Sequence, residues 1–123
     1  MPELLQVLVT AAERGWPVPG SLQFVAVGGA AVSVDLLERA NAVRIPVYEG
    51  YGLSECASVV CLNTPVARRA GTVGRPLPHV RVRVDASGQV HVAGNTMLGY
   101  LGDAPSRPLA EVATGDLGAF DAD

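Results

Sequence analysis

The sequence predicts an α/β protein in which a strand–helix–strand unit is followed by a β-rich part with a hairpin. Two observations support this prediction. Between residues 22 and 48, an apolar run, a glycine turn, an amphipathic stretch and a second apolar run follow one another. From residue 79 onwards apolar and polar residues alternate, which is typical of strands with one buried face. We therefore expect an α/β piece at 1–62, a linker rich in Pro, Gly and Arg at 63–78, and a β-rich piece at 79–123.

The first half is expected to contain two helices and two strands. Residues 2–14 form the first helix, because five apolar residues share one face at helical spacing: Leu4, Leu5, Leu8, Val9 and Ala12. The run at 22–27 is almost wholly apolar, which predicts a strand buried on both faces. Ser33 is a suitable N-cap for the second helix, and residues 45–48 predict a second strand, parallel to the first. The second helix would bury Leu36, Leu37, Ala40 and Val43.

The second half is expected to contain a β-hairpin at 79–92, with the turn residues D-A-S-G at 85–88. After residue 94 glycines and prolines recur every few residues, so we expect at most a short helical turn at 97–100. His79 and His91 fall on alternating strand positions. We expect both to be solvated rather than catalytic.

The charged residues exclude several classes of function. The formal net charge is −3, and all nine basic residues are arginine. The absence of lysine excludes a Schiff-base lysine, a lysine general base and a phosphate loop of the G-x-x-x-x-G-K-[ST] type. A pI near 5.3 with scattered arginines argues against nucleic-acid binding. No apolar run approaches the ~20 residues of a membrane span, and the N-terminus lacks a basic, cleavable leader, so a cytoplasmic location is expected by default.

The cysteines and the low charge content bear on the surface and interior of the fold. Cys56 and Cys61 are spaced C-x4-C without a second cluster, so we expect two reduced, partly buried thiols rather than a zinc site. Charged residues make up 17% of the chain, against roughly 25% in a typical soluble domain. Either the chain folds alone with few charges, or part of its surface is covered by something else, such as a second copy in a homo-oligomer.

Two short segments place small or acidic residues where a ligand can approach. Gly28, Gly29 and Ala30 follow a buried strand, at the sheet edge where α/β proteins bind ligands. A tight strand-to-helix turn explains the same residues and, from this segment alone, is the favoured interpretation. Asp116, in the triplet T-G-D, can present both carboxylate oxygens to a vicinal diol such as a ribose. The alternative for this triplet is an Asx-type turn before a strand.

The segment 48–55 shows the most specific choice of residues. Glycines on both sides of Tyr51 would expose its ring for stacking on a flat heterocycle. The Ser54 hydroxyl could reach a phosphate oxygen, and the Glu55 carboxylate is a hard-oxygen ligand suited to Mg²⁺. Ser54 could also be an N-cap with Glu55 in the first helical turn, and the two interpretations are compatible.

Taken together, these motifs resemble the adenylate-forming (AMP-binding) superfamily of acyl- and aryl-CoA ligases, luciferases and adenylation domains of peptide synthetases. Five motifs in the family's order carry the resemblance: G-G-A at 28–30, Y-G-L-S-E at 51–55, G-T-V-G-R-P-L-P at 71–78, M-L-G-Y at 97–100 and T-G-D-L-G at 114–118. The resemblance implies part of the large N-terminal domain of that fold. The segment 48–60 is most similar to acyl-CoA synthetases that act on fatty or related carboxylic acids.

The resemblance also implies roles for individual residues. Tyr51 would stack on adenine, and Asp116 would bind the ribose hydroxyls. Ser54 would bind the α-phosphate and Glu55 would hold Mg²⁺, which makes these two the catalytic residues of the chain. The implied nucleotide site comprises Gly29, Ala30, Glu49, Gly50, Tyr51, Gly52, Ser54 and Asp116. The implied substrate pocket is bordered by Gly28, Gly29, Ala30, Cys56 and Ala57.

The implied function is that of an ATP-dependent carboxylic acid–CoA ligase, which activates its acid as an acyl-adenylate and uses ATP/AMP, Mg²⁺ and CoA. In that family the phosphate loop with its lysine would precede residue 1, and the mobile, lysine-bearing C-terminal domain would follow residue 123. We therefore expect an internal fragment that is inactive alone. Two alternatives are a non-catalytic module that binds nucleotide or acyl groups, and a structural fragment that self-associates.

Overall fold

The computed structural model describes residues 2–103 and 108–122, which form two compact units. The first unit comprises Met1–Tyr51 and Cys61–Arg75, and the second comprises Gly52–Val60 and Pro76–Asp123. The helices are α1 (Pro2–Glu13) and α2 (Val34–Ala42), and a 3₁₀ turn spans Ser54–Cys56. The strands are β1 (Val25–Val27), β2 (Val47–Tyr51), β3 (Cys61–Leu62), β4 (Arg75–Pro76), β5 (Arg81–Val84), β6 (Gln89–Ala93) and β7 (Val112–Leu117). The α/β class is confirmed, whereas the division of the sequence at residues 62 and 78 stays a prediction.

The first unit contains the expected strand–helix–strand arrangement. Strands β1 and β2 are parallel, with Val25 opposite Val47 and Val27 opposite Glu49. The strand order of the sheet is β1-β2-β3-β4. Strand β2 continues to Tyr51, three residues past the predicted end, because its last two residues pair with the antiparallel strand β3.

The core of the first unit lies between the two helices and the β1–β2 pair. It consists of Leu5, Val9, Val27, Leu36, Leu37, Ala40, Ile45 and Val47. The buried face of α1 is narrower than predicted, since Leu4 is 63% exposed and Leu8 is 48% exposed. The expectation that β1 is buried on both faces is wrong. Val27 is buried and Val25 packs against the core, but Ala26 points to the opposite face and is exposed.

The predicted cap of α2 is confirmed. Ser33 has an extended backbone, and its hydroxyl oxygen accepts a hydrogen bond from the Leu36 N–H at 3.2 Å. On the same helix Arg39 makes a two-pronged ion pair with Glu13 of α1, with both N···O distances at 2.8 Å. This pair links the end of the first helix to the middle of the second.

The predicted hairpin is confirmed in the second unit. Strands β5 and β6 are antiparallel, with Arg81 opposite Ala93 and Val84 opposite Val90. The turn between them is held by Asp85, whose Oδ1 accepts hydrogen bonds from the Ser87 hydroxyl and from the backbone N–H groups of Ser87 and Gln89. Residues 97–100 form no helical turn, which agrees with the prediction of a short turn at most.

Strand β7 was not expected from the sequence. It pairs with β6, and T-G-D lies inside it rather than in a turn before a strand. Gln89 pairs with Leu117 and His91 with Ala113, so β7 carries extra residues between these pairs. The bulge contains Gly115, whose φ of +82° suits glycine.

The two histidines differ in their surroundings. His79 is exposed as expected, but the side chain of His91 is only 14% exposed, so the expectation of solvation is wrong there. Its Nε2 lies 2.8 Å from Asp85 Oδ2 and its Nδ1 lies 3.2 Å from Glu111 Oε1. The alternating pattern correctly places His91 away from the valine face. It does not reveal that carboxylates from the turn and from the residue before β7 enclose the ring.

Neither described helix is long and apolar enough to cross a membrane.

Candidate functional site

Different structural features explain why glycine stands at the two glycine positions of G-G-A. A Cβ at Gly28 would lie 2.8 Å from the carbonyl oxygen of Gly50, so β1 and β2 approach each other too closely for a side chain there. Gly29 has a φ of +82° and open space around its Cβ position, and Ala30 beside it is exposed. The close approach explains Gly28 without a ligand. Gly29 and Ala30 leave an open backbone turn at the carboxyl end of β1.

The end of β2 contains the other predicted site residues of the first unit. Glu49, Gly50 and Tyr51 are half-buried, and Glu49 lies opposite Val27, the last residue of β1. Tyr51 is the last residue of the strand and lies opposite Cys61, so its backbone is part of the sheet. The first unit thus brings G-G-A and the end of β2 together at one sheet edge.

Asn63 anchors this region and was missed by the sequence analysis. Its side chain is 2% exposed, and its Nδ2 donates hydrogen bonds to the carbonyl oxygens of Glu49 at 3.2 Å and Thr72 at 2.7 Å. Its Oδ1 accepts a hydrogen bond from the Arg69 N–H at 2.9 Å. No local pattern identifies such a residue, because its partners come from separate segments of the chain.

The 3₁₀ turn in the second unit carries Ser54 and Glu55. The residue at its N-cap is Leu53, so the alternative in which Ser54 caps a helix is not what the structure contains. Ser54 is exposed, and its hydroxyl has no hydrogen-bond partner among the described residues. The turn is tightly enclosed on its N-terminal side, where a Cβ at Gly52 would collide with the backbone of Ser58 and Val59.

The carboxylate of Glu55 is half-buried and partly paired. Its Oε1 accepts a hydrogen bond from the Tyr100 hydroxyl at 3.3 Å, and its backbone carbonyl accepts one from the Met97 N–H at 2.8 Å. Within residues 2–103 and 108–122, Oε2 has no hydrogen-bond partner. The charge of Glu55 raises the pKa of the Tyr100 phenol above its ordinary value.

Glu55 fits a magnesium ion that is shared with a phosphate. The described part of the chain contains no group of three or more His, Cys, Asp or Glu side chains that could enclose a metal. Mg²⁺ commonly binds through one or two carboxylates, and substrate phosphates and water complete its shell. A single carboxylate with one available oxygen suits that mode of binding.

The residues that follow Glu55 are buried or strained. Cys56 is fully buried, and desolvation raises the pKa of its thiol, as does the charge of Glu55. Ala57 and Ser58 both have positive φ, at 55° and 79°, which is uncommon for residues with a side chain. Strained backbone next to a candidate ligand is frequent at functional sites. Both thiols, Cys56 and Cys61, are free and more deeply buried than predicted.

Asp116 lies in the bulge of β7 and is exposed. Its backbone N–H donates a hydrogen bond to the Thr114 hydroxyl at 3.1 Å, and that hydroxyl donates to the Val90 carbonyl at 2.9 Å. Thr114 therefore ties the backbone of the bulge to β6. The second unit holds Ser54, Glu55 and Asp116 on two separate elements, the 3₁₀ turn and β7.

The chain belongs to the AMP-binding enzyme family, whose model matches residues 1–101. Among curated relatives, it is 34% identical to a 2-succinylbenzoate–CoA ligase of Staphylococcus epidermidis, over 78% of this chain and 22% of that protein. A Staphylococcus aureus enzyme of the same name is 33% identical over 78% of this chain and 21% of that protein. The chain thus spans about a fifth of the length of these relatives.

Solved structures of the same kind of enzyme share the fold. E. coli MenE, bound to an analogue of OSB-AMS, is 31% identical with a TM-score of 0.79, over 98% of this chain and 27% of that chain. Bacillus subtilis MenE, described as an o-succinylbenzoate CoA synthetase, was solved with the acyl-adenylate intermediate OSB-AMP. It is 25% identical with a TM-score of 0.81, over 98% of this chain and 28% of that chain. These relatives are named for an aromatic acid, so they do not support the expected fatty-acid substrate.

Proposed function

We propose that this chain provides nucleotide-binding residues of an ATP-dependent carboxylic acid–CoA ligase, which activates its acid as an acyl-adenylate. The observation that carries the proposal is the Ser54–Glu55 turn, with an exposed hydroxyl beside a carboxylate that keeps one oxygen available. A hydroxyl and a metal-binding carboxylate are the groups that a nucleotide phosphate with Mg²⁺ requires. Membership of the AMP-binding enzyme family supports the same assignment.

The proposed roles follow the family motif residue by residue. Tyr51 stacks on the adenine, and Asp116 binds the ribose hydroxyls. Ser54 contacts the α-phosphate, and Glu55 holds Mg²⁺, which neutralises phosphate charge when bound. Gly29, Ala30, Glu49, Gly50 and Gly52 shape the nucleotide site. The acid is bordered by Gly28, Gly29, Ala30, Cys56 and Ala57.

We infer that the acid is an aromatic carboxylic acid of the 2-succinylbenzoate type and that the acceptor is CoA. The support is the name shared by the curated relatives and the solved structures. Tyr51, Ser54, Glu55 and Asp116 do not contribute to that inference, because their proposed partners are the adenine, the phosphate, the metal and the ribose rather than the acid.

Calorimetric titration with non-hydrolysable acyl-adenylate analogues tests this proposal. AMP alone should bind at about millimolar Kd, roughly −4 kcal/mol, and the 2-succinylbenzoyl analogue should bind at least about tenfold more tightly than AMP. A fatty-acyl adenylate analogue should bind less tightly than the 2-succinylbenzoyl analogue. Tyr51→Ala should weaken all three ligands, whereas Trp16→Ala, which removes an aromatic ring that is 73% exposed, should weaken none. Equal affinity of the wild-type chain and Tyr51→Ala for AMP would contradict the nucleotide assignment. Tighter binding of the fatty-acyl analogue would contradict only the acid.

A further inference from the structure

Glu55 is held at two points by one distant segment of the second unit. The Met97 N–H donates to its backbone carbonyl at 2.8 Å, and the Tyr100 hydroxyl donates to its Oε1 at 3.3 Å. Tyr100 is 45 residues away from Glu55 along the chain. The segment 97–100 therefore fixes both the backbone and the carboxylate of the proposed magnesium ligand.

The segment that presents Tyr100 is itself fixed in place. The Tyr100 N–H donates to Asp103 Oδ2 at 2.7 Å, and the Asp103 N–H donates back to the Tyr100 carbonyl at 3.0 Å. At the other end, the Met97 carbonyl accepts a hydrogen bond from the Leu109 N–H at 3.0 Å. A closed turn and a cross-segment hydrogen bond thus limit where the Tyr100 hydroxyl can be.

Tyr100 has little packing role that could explain its position. The residue is 64% exposed, so its ring contributes little buried apolar surface. The contact that distinguishes it is the hydrogen bond to Glu55. A hydrogen bond to one carboxylate oxygen restricts rotation of the group and leaves the other oxygen available for a cation.

We propose that Tyr100 is a positioning residue, which orients the Glu55 carboxylate so that Oε2 can bind the divalent cation of a nucleotide–metal complex. This inference rests on the proposed function. In the Tyr100→Phe variant the carboxylate gains rotational freedom, and the metal–nucleotide complex should bind about fivefold more weakly, as for the loss of one hydrogen bond. AMP without a metal should bind unchanged, because Tyr100 acts only through Glu55.

The experiment has two arms, both with the full 123-residue chain. The pairing arm tests the hydrogen bond between Tyr100 and Glu55, and the binding arm measures the affinity for two ligands. In the pairing arm, the ring resonances of Tyr100 are observed by NMR at neutral pH. They should shift in Glu55→Gln, which removes the charge of the group that accepts the Tyr100 hydrogen bond, and should stay unchanged in Glu38→Gln, which changes an exposed carboxylate of α2. Unchanged Tyr100 ring resonances in Glu55→Gln would overturn the pairing, and with it the positioning role.

The binding arm measures Mn²⁺–ATP by paramagnetic relaxation and metal-free AMP by chemical-shift titration. Tyr100→Phe should weaken Mn²⁺–ATP only, and Glu55→Gln should weaken it further. Tyr48→Phe is the matched control, because no described residue forms a hydrogen bond with the Tyr48 hydroxyl. Wild-type affinity in Tyr100→Phe together with weakened Glu55→Gln would overturn the positioning role and leave the proposed function standing. A wild-type chain that binds no Mn²⁺–ATP would overturn both. Equal loss of both ligands in Tyr100→Phe would indicate a folding defect and also overturn the positioning role.

Discussion

At the residue scale, the amide of Asn63 shows how one buried polar group can join its own segment to two others, the end of β2 and the turn at 69–72. Its side chain bonds to the backbones of Glu49, Arg69 and Thr72, so every polar atom of the amide has a partner. Buried groups with complete hydrogen bonding stabilise a unique arrangement, and removing one partner leaves the others unsatisfied. Asn63 therefore positions the end of β2, where Glu49 and Tyr51 lie.

Asn63→Ala should lower the free energy of unfolding by about 1–3 kcal/mol, because it removes the three hydrogen bonds of a buried side chain. Asn63→Asp should be at least as harmful, since a carboxylate would face the carbonyl oxygens of Glu49 and Thr72. Asn41→Ala, at an exposed helical position, is the matched control and should change stability by less than about 0.5 kcal/mol. Urea unfolding measures the free energy of unfolding of all three variants. Equal stability of Asn63→Ala and Asn41→Ala would show that the amide network contributes nothing.

The Glu13–Arg39 pair makes stability depend on pH. Hydrogen bonds from the Arg39 guanidinium, together with its charge, hold the pKa of Glu13 below its ordinary value. Ionised Glu13 therefore stabilises the fold above its unfolded-state pKa of about 4.3, and this contribution is lost as the pH falls through the folded-state pKa. Hydrogen bonds also lower the pKa of Asp85 and Glu111, which should lose their contributions in the same direction.

Thermal unfolding from about pH 6 to about pH 3 should therefore show a smaller fall in Tm for Glu13→Gln than for the wild-type chain. Part of the fall should remain, because Asp85 and Glu111 are unchanged. Glu3→Gln removes an exposed carboxylate from the first turn of α1 and should follow the wild-type profile. A Glu13→Gln profile parallel to that of the wild-type chain would contradict the role of the ion pair.

At the element scale, the elements with a strong local pattern were predictable and those defined by distant pairing were not. Both helices and the β5–β6 hairpin follow from periodicity, the parallel strands follow from short apolar runs, and the Ser33 cap follows from residue type. Strand β7 was not predicted, because its residues do not alternate between apolar and polar in the sequence. Only Val112 of its six residues is buried in the structure. The extension of β2 to Tyr51 depends on β3, a strand of two residues that no local pattern indicates.

The loop from Gly52 to Val59 offers a test of close backbone packing. A Cβ at Gly52 would collide with backbone atoms of Ser58 and Val59, which cannot move aside as a flexible side chain can. Gly52→Ala should therefore lower the free energy of unfolding by about 3 kcal/mol, as in severe overpacking. Gly20→Ala is the matched control, because nothing lies within 4 Å of its Cβ position and its φ is not positive. Chemical denaturation measures the free energy of unfolding of the two variants and of the wild-type chain. A Gly52→Ala chain as stable as Gly20→Ala would mean that the loop does not close in this way.

At the scale of the whole molecule, the motifs predicted the family but not the acid. Residues such as Tyr51, Ser54 and Glu55 are proposed to face the adenine, the phosphate and the metal rather than the acid. Their identities therefore carry no information about the acyl group, and the fatty-acid expectation had no physical support in them. The contacts that place these residues, such as Tyr100 on Glu55, depend on the folded chain and were not predictable from spacing.

Self-association through exposed apolar residues of α1 is a further prediction for the whole chain. Leu4, Val7 and Leu8 form an apolar stripe on the outer side of α1, with exposures of 63%, 65% and 48%. If copies pair through this stripe, Leu4→Glu should reduce the sedimentation coefficient at high concentration. Val66→Glu changes a valine that is 95% exposed in a loop and should have no such effect. A monomer at all concentrations would contradict homo-oligomer formation.

Binding of adenine nucleotide to this chain is proposed to depend on the Tyr51 ring. An NMR titration of the chain with AMP tests it most directly, with assignment of the Tyr51 ring and measurement of contacts between ring and adenine protons. We expect a saturable shift of the Tyr51 ring resonances in the millimolar range and nuclear Overhauser contacts from that ring to the adenine. Unchanged Tyr51 resonances at saturating AMP, or contacts that place the adenine on Tyr48 instead, would contradict it.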